Sequence, residues 1–147
     1  MTDWNMNVTT LLSDRGSVSY SVYRADLSSV ALTEYSNKIA INHVFYKPGY
    51  FEETEDIIKK FKKVWDASDQ AVAVYEASSS GEPQFAIVTR YKQGLKERAI
   101  GFRKPMKERY NETNGANSWE EYIKGVKNVT DHSCSELLFY HPELSSK

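Results

Sequence analysis

The sequence predicts an α+β domain with an antiparallel sheet, and three observations predict it. Lys38–Tyr46 (KIAINHVFY) alternates side chains at period two and is rich in β-branched and aromatic residues, the signature of a strand. Phe51, Thr54, Ile57, Ile58, Phe61, Val64 and Trp65 recur at three- and four-residue spacing, the signature of an amphipathic helix. From residue 38 onward the segments then run strand, helix, strand, strand, helix, strand, which is the split βαβ order.

Residues 1–16 have weak periodicity. Residues 17–23 alternate cleanly, with Val18, Tyr20 and Val22 on one face, and read as an extra N-terminal strand. In Lys38–Tyr46 one face carries Ile39, Ile41, His43 and Phe45, and the other carries Ala40, Asn42, Val44 and Tyr46. Lys47, Pro48 and Gly49 end that strand, because proline donates no backbone hydrogen bond and glycine admits the turn.

The helix over 51–65 opens on Glu52, Glu53, Glu55 and Asp56 and continues with Lys59, Lys60, Lys62 and Lys63, an order that complements its dipole. Strands at 71–77 and 84–91 flank a Ser-Gly-Pro turn and form a hairpin. Residues 95–109 are basic and helical in part, broken near Pro105, and 111–117 read as a polar loop. Ser118 with Glu121 three residues later reads as a capping box for a helix bearing Trp119, Tyr122, Ile123 and Val126. The last strand is 136–140.

The expected architecture is thus a ferredoxin-like, split βαβ arrangement: a four-stranded antiparallel sheet with helices on one face, plus the N-terminal strand. Residues 1–37 form an extension and 38–147 the domain. With helices on one side only, the other sheet face needs a cover, which points to a homodimer through that face. Residues 14–29 also align without gaps to 131–146 with five identities in sixteen positions. A degenerate repeat and a chance likeness of strand endings both fit. A true repeat predicts pairing of 17–23 at a sheet edge.

Composition narrows the function classes. Among 147 residues, 40% are apolar and 27% charged, near the globular average. The 19 basic and 20 acidic residues nearly cancel, which argues against a nucleic-acid or membrane-surface binder. That balance conceals one cationic segment, 90–109, with eight basic and two acidic residues, suited to a carboxylate or phosphate ligand or to a solvated face. A single cysteine, Cys134, excludes an internal disulfide and a cysteine-based metal cage, so no metal or cofactor is expected. No apolar run is long enough to span a membrane, and the start lacks a secretory pattern, so a cytoplasmic location is the expectation.

Residues 44–64 carry the pattern strand, Lys47-Pro48-Gly49, then an acidic amphipathic helix opening on Phe51-Glu52-Glu53. With the hairpin Ser80-Gly81-Glu82-Pro83-Gln84-Phe85 and the closing Tyr140-His141-Pro142-Glu143-Leu144-Ser145, it resembles the dimeric α/β-barrel superfamily. That superfamily includes the NIPSNAP-like proteins, the antibiotic-biosynthesis-type monooxygenases and uncharacterised bacterial members. The likeness spans about residues 38–146 and its motifs punctuate structure. The resemblance implies two sheets packed across a dimer and a small apolar or aromatic ligand between sheet and helices. Some members are cofactor-free oxygenases, but no catalytic set transfers onto this chain residue by residue.

His43 is the candidate catalytic residue, as general base or ligand contact, because histidine as a residue type suits proton transfer near neutral pH and this one shares a face with Ile39, Ile41 and Phe45. A hydrogen-bonded core histidine fits the same pattern. Asn42 could polarise a ligand oxygen but lies on the opposite strand face. Trp65 and Tyr91 are candidate pocket walls and Arg90 a candidate anion contact, in a pocket between the sheet and the 51–65 helix. Histidines 132 and 141 flank the last strand without metal-ligand spacing, and Cys134 stands at its start without a partner. The functional expectation is a ligand-binding protein or cofactor-independent monooxygenase-like enzyme. The alternative is a non-enzymatic interaction module that dimerises through its sheet face.

Overall fold

The computed structural model describes residues 19–78 and 81–144. The elements in chain order are β1 (Ser21–Tyr23), β2 (Lys38–Tyr46), α1 (Phe51–Ala67), β3 (Val72–Ala77), β4 (Gln84–Arg90), α2 (Met106–Asn114), α3 (Ser118–Val129) and β5 (Thr130–Phe139). Short 3₁₀ turns lie at Gly94–Arg98 and Pro142–Leu144. The protein is α+β: the strands form one antiparallel sheet in the order β1-β3-β4-β2-β5. β2 and β4 are adjacent, and the crossover from β2 through α1 to β3 leaves β4 between the two strands. The order is compatible with a ferredoxin-like arrangement, with β1 as a fifth strand.

Alternation along the strands builds two cores. On the helix side, Val72 and Val74 of β3 and Phe85 of β4 are wholly buried against Ile58 and Trp65 of α1, with Phe51, Phe61, Tyr46 and Ile87 around them. α2 and α3 pack chiefly on α1: Phe61 meets Tyr110 at 5.0 Å and Tyr122 at 4.9 Å between ring centroids, and Tyr110 meets Trp119 at 5.6 Å. On the opposite face Ala71, Ala73 and Val88 pack with Val30.

Val30 belongs to the N-terminal extension, so part of the cover expected from a second copy comes from the chain itself. The extension runs along the β3 edge. Tyr23 pairs with Tyr75, Arg24 and Ser29 donate backbone hydrogen bonds to Val74 and Val72, and the hydroxyls of Ser28 and Ser29 accept from the N–H groups of Val74 and Val72 at 2.8 and 2.9 Å. These serines satisfy an edge that would otherwise offer unpaired donors. Leu27, wholly buried, drops from the same segment into the helix-side core.

Arg24 then clamps extension, helix and sheet together. Its guanidinium reaches Asp26 at 2.7 Å, Glu55 of α1 at 2.8 Å and Glu76 of β3 at 2.6 Å. Hydrogen bonds from Arg24 hold the Asp26 carboxyl below its ordinary value, and those from Lys59 and then Arg24 do the same for Glu55. Carboxylates depressed in the folded state stabilise it fully above the unfolded-chain value of about 4 and lose that contribution as pH falls through the lowered folded values. Stability should therefore drop on acidification below about pH 4.5, and Glu55→Gln should reduce that drop. Urea midpoints measured at neutral and acidic pH check this; equal acid losses in the two proteins would contradict the assignment.

Several boundaries differ from those the sequence predicts. β1 begins at Ser21, and the part of the predicted 17–23 strand before residue 19 lies outside the described residues, as do both ends of the repeat alignment. β1 does pair at a sheet edge. The polar loop predicted at 111–117 shrinks, because α2 continues to Asn114, anchored by buried Tyr110. The capping box at Ser118 does not form: the cap position is Asn117, left-handed at φ 65° with no side-chain cap, and Ser118 is the first helical residue. A tertiary cap replaces the local one, since Asn111 Oδ1 of α2 accepts from the Trp119 N–H at 2.9 Å and the Ser118 hydroxyl at 3.1 Å. The last strand starts at Thr130, six residues before the predicted 136, so His132 and Cys134 lie inside it. Beyond Thr130, β5 is exposed throughout.

Candidate functional site

The register of the sheet places one residue from each strand in a row on the face away from the helices: Tyr23, Tyr75, Ala86, His43 and Cys134. Ala86 sits between two large rings, and its small side chain leaves a depression. The resulting open groove, about 400 Å³, has Ile41, Ala86 and Val88 as apolar floor and Tyr75, His43 and Tyr35 as walls. A second, apolar recess of about 480 Å³ shares Tyr35, Ser36 and Ile39 and continues to Leu138, Phe139 and Tyr140. Apolar concavity with few polar groups is the usual form of a small-molecule site.

His43 stands at one end of the groove, held from both sides. Its Nδ1 lies 2.8 Å from Gln84 Oε1 of β4, and its Nε2 lies 3.2 Å from Glu136 Oε1 of β5. Both partners present oxygens to the ring, so either nitrogen can donate, and the tautomer sets which one does. Glu136 is half exposed, making it the looser of the two partners. A ligand carrying an acidic oxygen can take its place on Nε2. Cys134, directly opposite His43 on β5, is exposed and makes no hydrogen bond to it. Phe45 continues the face and stacks on His132 at 4.1 Å.

Of the five residues expected at a site, the fold brings two to this groove, His43 and Arg90. Arg90 is 5% exposed, and its Nη1 donates to the carbonyls of Ala31 at 2.9 Å, Leu32 at 3.3 Å and Glu34, while Nη2 donates to the Tyr75 hydroxyl at 3.1 Å. These bonds tie the extension to the sheet and occupy the donors an anion would need. Asn42 is on the far face, as alternation predicts, where it accepts from the Ser135 hydroxyl at 2.6 Å. Trp65 is 4% exposed in the helix-side core. Tyr91 follows the end of β4 and lines a polar recess with Ser36, Lys38 and Lys92. The space between sheet and α1, where a pocket is expected from the sequence, is filled by Ile58, Trp65, Val74 and Phe85.

Gln84, Ala86 and Glu136 complete the His43 site and are not apparent from sequence, because only the register sets them beside the ring. A signal does exist for Ala86: one small residue on the same strand face as Gln84 and Val88. Among the described residues no three His, Cys, Asp or Glu side chains converge as a metal site, and no helix is long and apolar enough to cross a membrane. Comparison with protein-family models, with curated proteins and with solved structures finds no match for this chain.

Proposed function

We propose that this protein binds a small, largely apolar, aromatic molecule in the groove on the open sheet face. The observation carrying the proposal is the depression over Ala86 that ends on the doubly held ring of His43. Ile41 and Val88 supply apolar contact, and His43 Nε2 meets the ligand's acidic oxygen once Glu136 swings away. In a cofactor-independent oxygenase-like reaction the neutral ring, with its proton on Nδ1 toward Gln84 Oε1, takes the proton of a ligand hydroxyl on Nε2 and becomes charged. The strand order supports assigning the fold to the ferredoxin-like, dimeric α/β-barrel type. A second copy packing on the open face would close the groove, since Leu138 and its neighbours Phe139 and Tyr140 remain about half exposed.

Titration with a naphthohydroquinone and, separately, with haem, followed by backbone amide spectra, tests the reading. Shifts centred on Ile41, His43, Tyr75 and Ala86 are expected. They should vanish in Ala86→Leu, which fills the depression, and weaken by about tenfold in His43→Ala, the loss of one charge-assisted hydrogen bond. Absence of shifts with either probe rejects ligand binding. The exposed apolar end of β5 favours the second reading, a module that only dimerises. That reading stands if the probes fail and sedimentation shows a dimer that Leu138→Lys dissociates.

A further inference from the structure

The cationic segment has a place in the fold that the groove does not use. A polar recess of about 220 Å³ lies where the chain leaving α1 passes the end of β4, and Arg98, Arg103 and Arg109 reach it together with Tyr91 and Gln70. Two of the neighbouring cations are already compensated. Arg103 pairs with Glu97 at 2.7 Å, and Lys104 pairs with Glu112 at 2.6 Å. Glu97 also lines the recess, but its carboxylate accepts from both Arg103 and the Gln93 N–H, so its charge is spent.

Arg109 and Arg98 are different. Arg109 Nε donates to the Lys104 carbonyl at 3.0 Å, and its Nη1 donates to Ser68 Oγ at 2.9 Å and Gln70 Oε1 at 3.0 Å. All three acceptors are neutral, and Nη2 has no partner among the described residues. Arg103 converges on the same turn, its Nε donating to the Ser68 carbonyl at 3.4 Å. Two guanidiniums are therefore gathered at Ser68 with a single carboxylate between them. Burial first, and then the charge of Arg103, press the Arg109 guanidinium below its ordinary value. Arg98 is exposed and has no hydrogen bond or ion pair among the described residues. The fold thus holds one half-buried cation with neutral acceptors only and leaves a second, exposed one without a carboxylate at the same recess, so both have donors to offer an anion.

We propose that this recess binds a phosphate group, with Arg109 Nη2 and Arg98 donating to its oxygens and the Tyr91 hydroxyl at the rim. Guanidinium forks match tetrahedral oxyanions, and two of them favour a dianion over a carboxylate. Free phosphate and a small phosphate monoester share this chemistry.

Calorimetric titration of the whole chain with inorganic phosphate, at about pH 8 where the dianion dominates and with ionic strength held constant, tests the proposal. One saturable site is expected, with acetate giving none. Arg98→Gln, which removes no internal contact, should weaken phosphate by about tenfold at an unchanged melting temperature. Arg109→Gln should weaken it at least as much. Phenyl phosphate binding tighter than the free ion would identify a monoester site, and equal affinity would identify a free-phosphate site; either supports the assignment. No saturable binding up to about 10 mM, or equal affinity in wild type and Arg98→Gln, overturns it. Because the readout concerns residues outside the open-face groove, failure here leaves the aromatic-ligand reading standing, and the reverse also holds.

Discussion

Replacing Phe85 by alanine is expected to lower the free energy of unfolding by about 3–5 kcal/mol, the range for emptying a buried phenylalanine site. Phe85 is wholly buried at the centre of the helix-side core. Its ring lies 5.6 Å from both Tyr46 and Phe51, so three elements, β2, α1 and β4, meet on it. Strand backbones hold its Cα in place, and the surrounding rings are too stiff to close the space, so a cavity term adds to the lost transfer energy. Equilibrium urea denaturation gives the number directly. A loss below about 1 kcal/mol would mean that α1 slides into the gap and that the core is not the close-packed one described. Ala86→Leu, one residue along and on the opposite face, should cost far less, because it points into the open groove.

The second large effect is expected at Arg90. Arg90→Met keeps the apolar stem and removes the guanidinium, leaving the carbonyls of Ala31, Leu32 and Glu34 and the Tyr75 hydroxyl without their donor. Bonds from a charged donor contribute about 1.5–3 kcal/mol each, but these carbonyls belong to exposed residues and can turn to water, so a total loss of about 2–3 kcal/mol is expected. The loss should be local. Residues 31–36 would leave the sheet, Tyr35 would lose the cation it covers at 5.6 Å, and the groove would lose one wall. Amide exchange should accelerate in the extension while β2 and β4 remain protected. Unchanged protection over 31–36 would show that Val30 and Leu27 hold the extension without Arg90.

Much of the frame was legible because its signals are local. The 51–65 helix buries one face and Lys38–Tyr46 half-buries both with β-branched and aromatic residues, so the three-to-four spacing and the strand composition appear directly in the residue string. The first half of β5 was not legible, for the matching reason: Asp131, His132, Ser133, Cys134 and Ser135 are exposed on both sides, and no alternation marks a strand that buries neither face. The end of α2 was hidden because Asn111, Thr113 and Asn114 are poor helix formers, held helical by Tyr110 in its aromatic cluster. Serine at 118 followed by glutamate at 121 has the form of a local cap, yet Asn111 caps the helix from eight residues away.

The candidate sites divide in the same way. His43 on an apolar strand face and a cationic run over 90–109 could be read from the chain, since both depend on neighbours in sequence. The role of Arg90 could not, because its carbonyl acceptors lie 56 to 59 residues away, and the anion contact is proposed instead at Arg98 and Arg109. By itself the sequence determined which face of each element is apolar and in what order strands and helices follow, because side-chain period and turn chemistry act over a few residues. Only the tertiary structure decided what faces His43, what Arg90 holds and where the sheet stays open. Those depend on register, and a shift of one residue between β2 and β4 would exchange Phe85 for Ala86 and turn the groove into core.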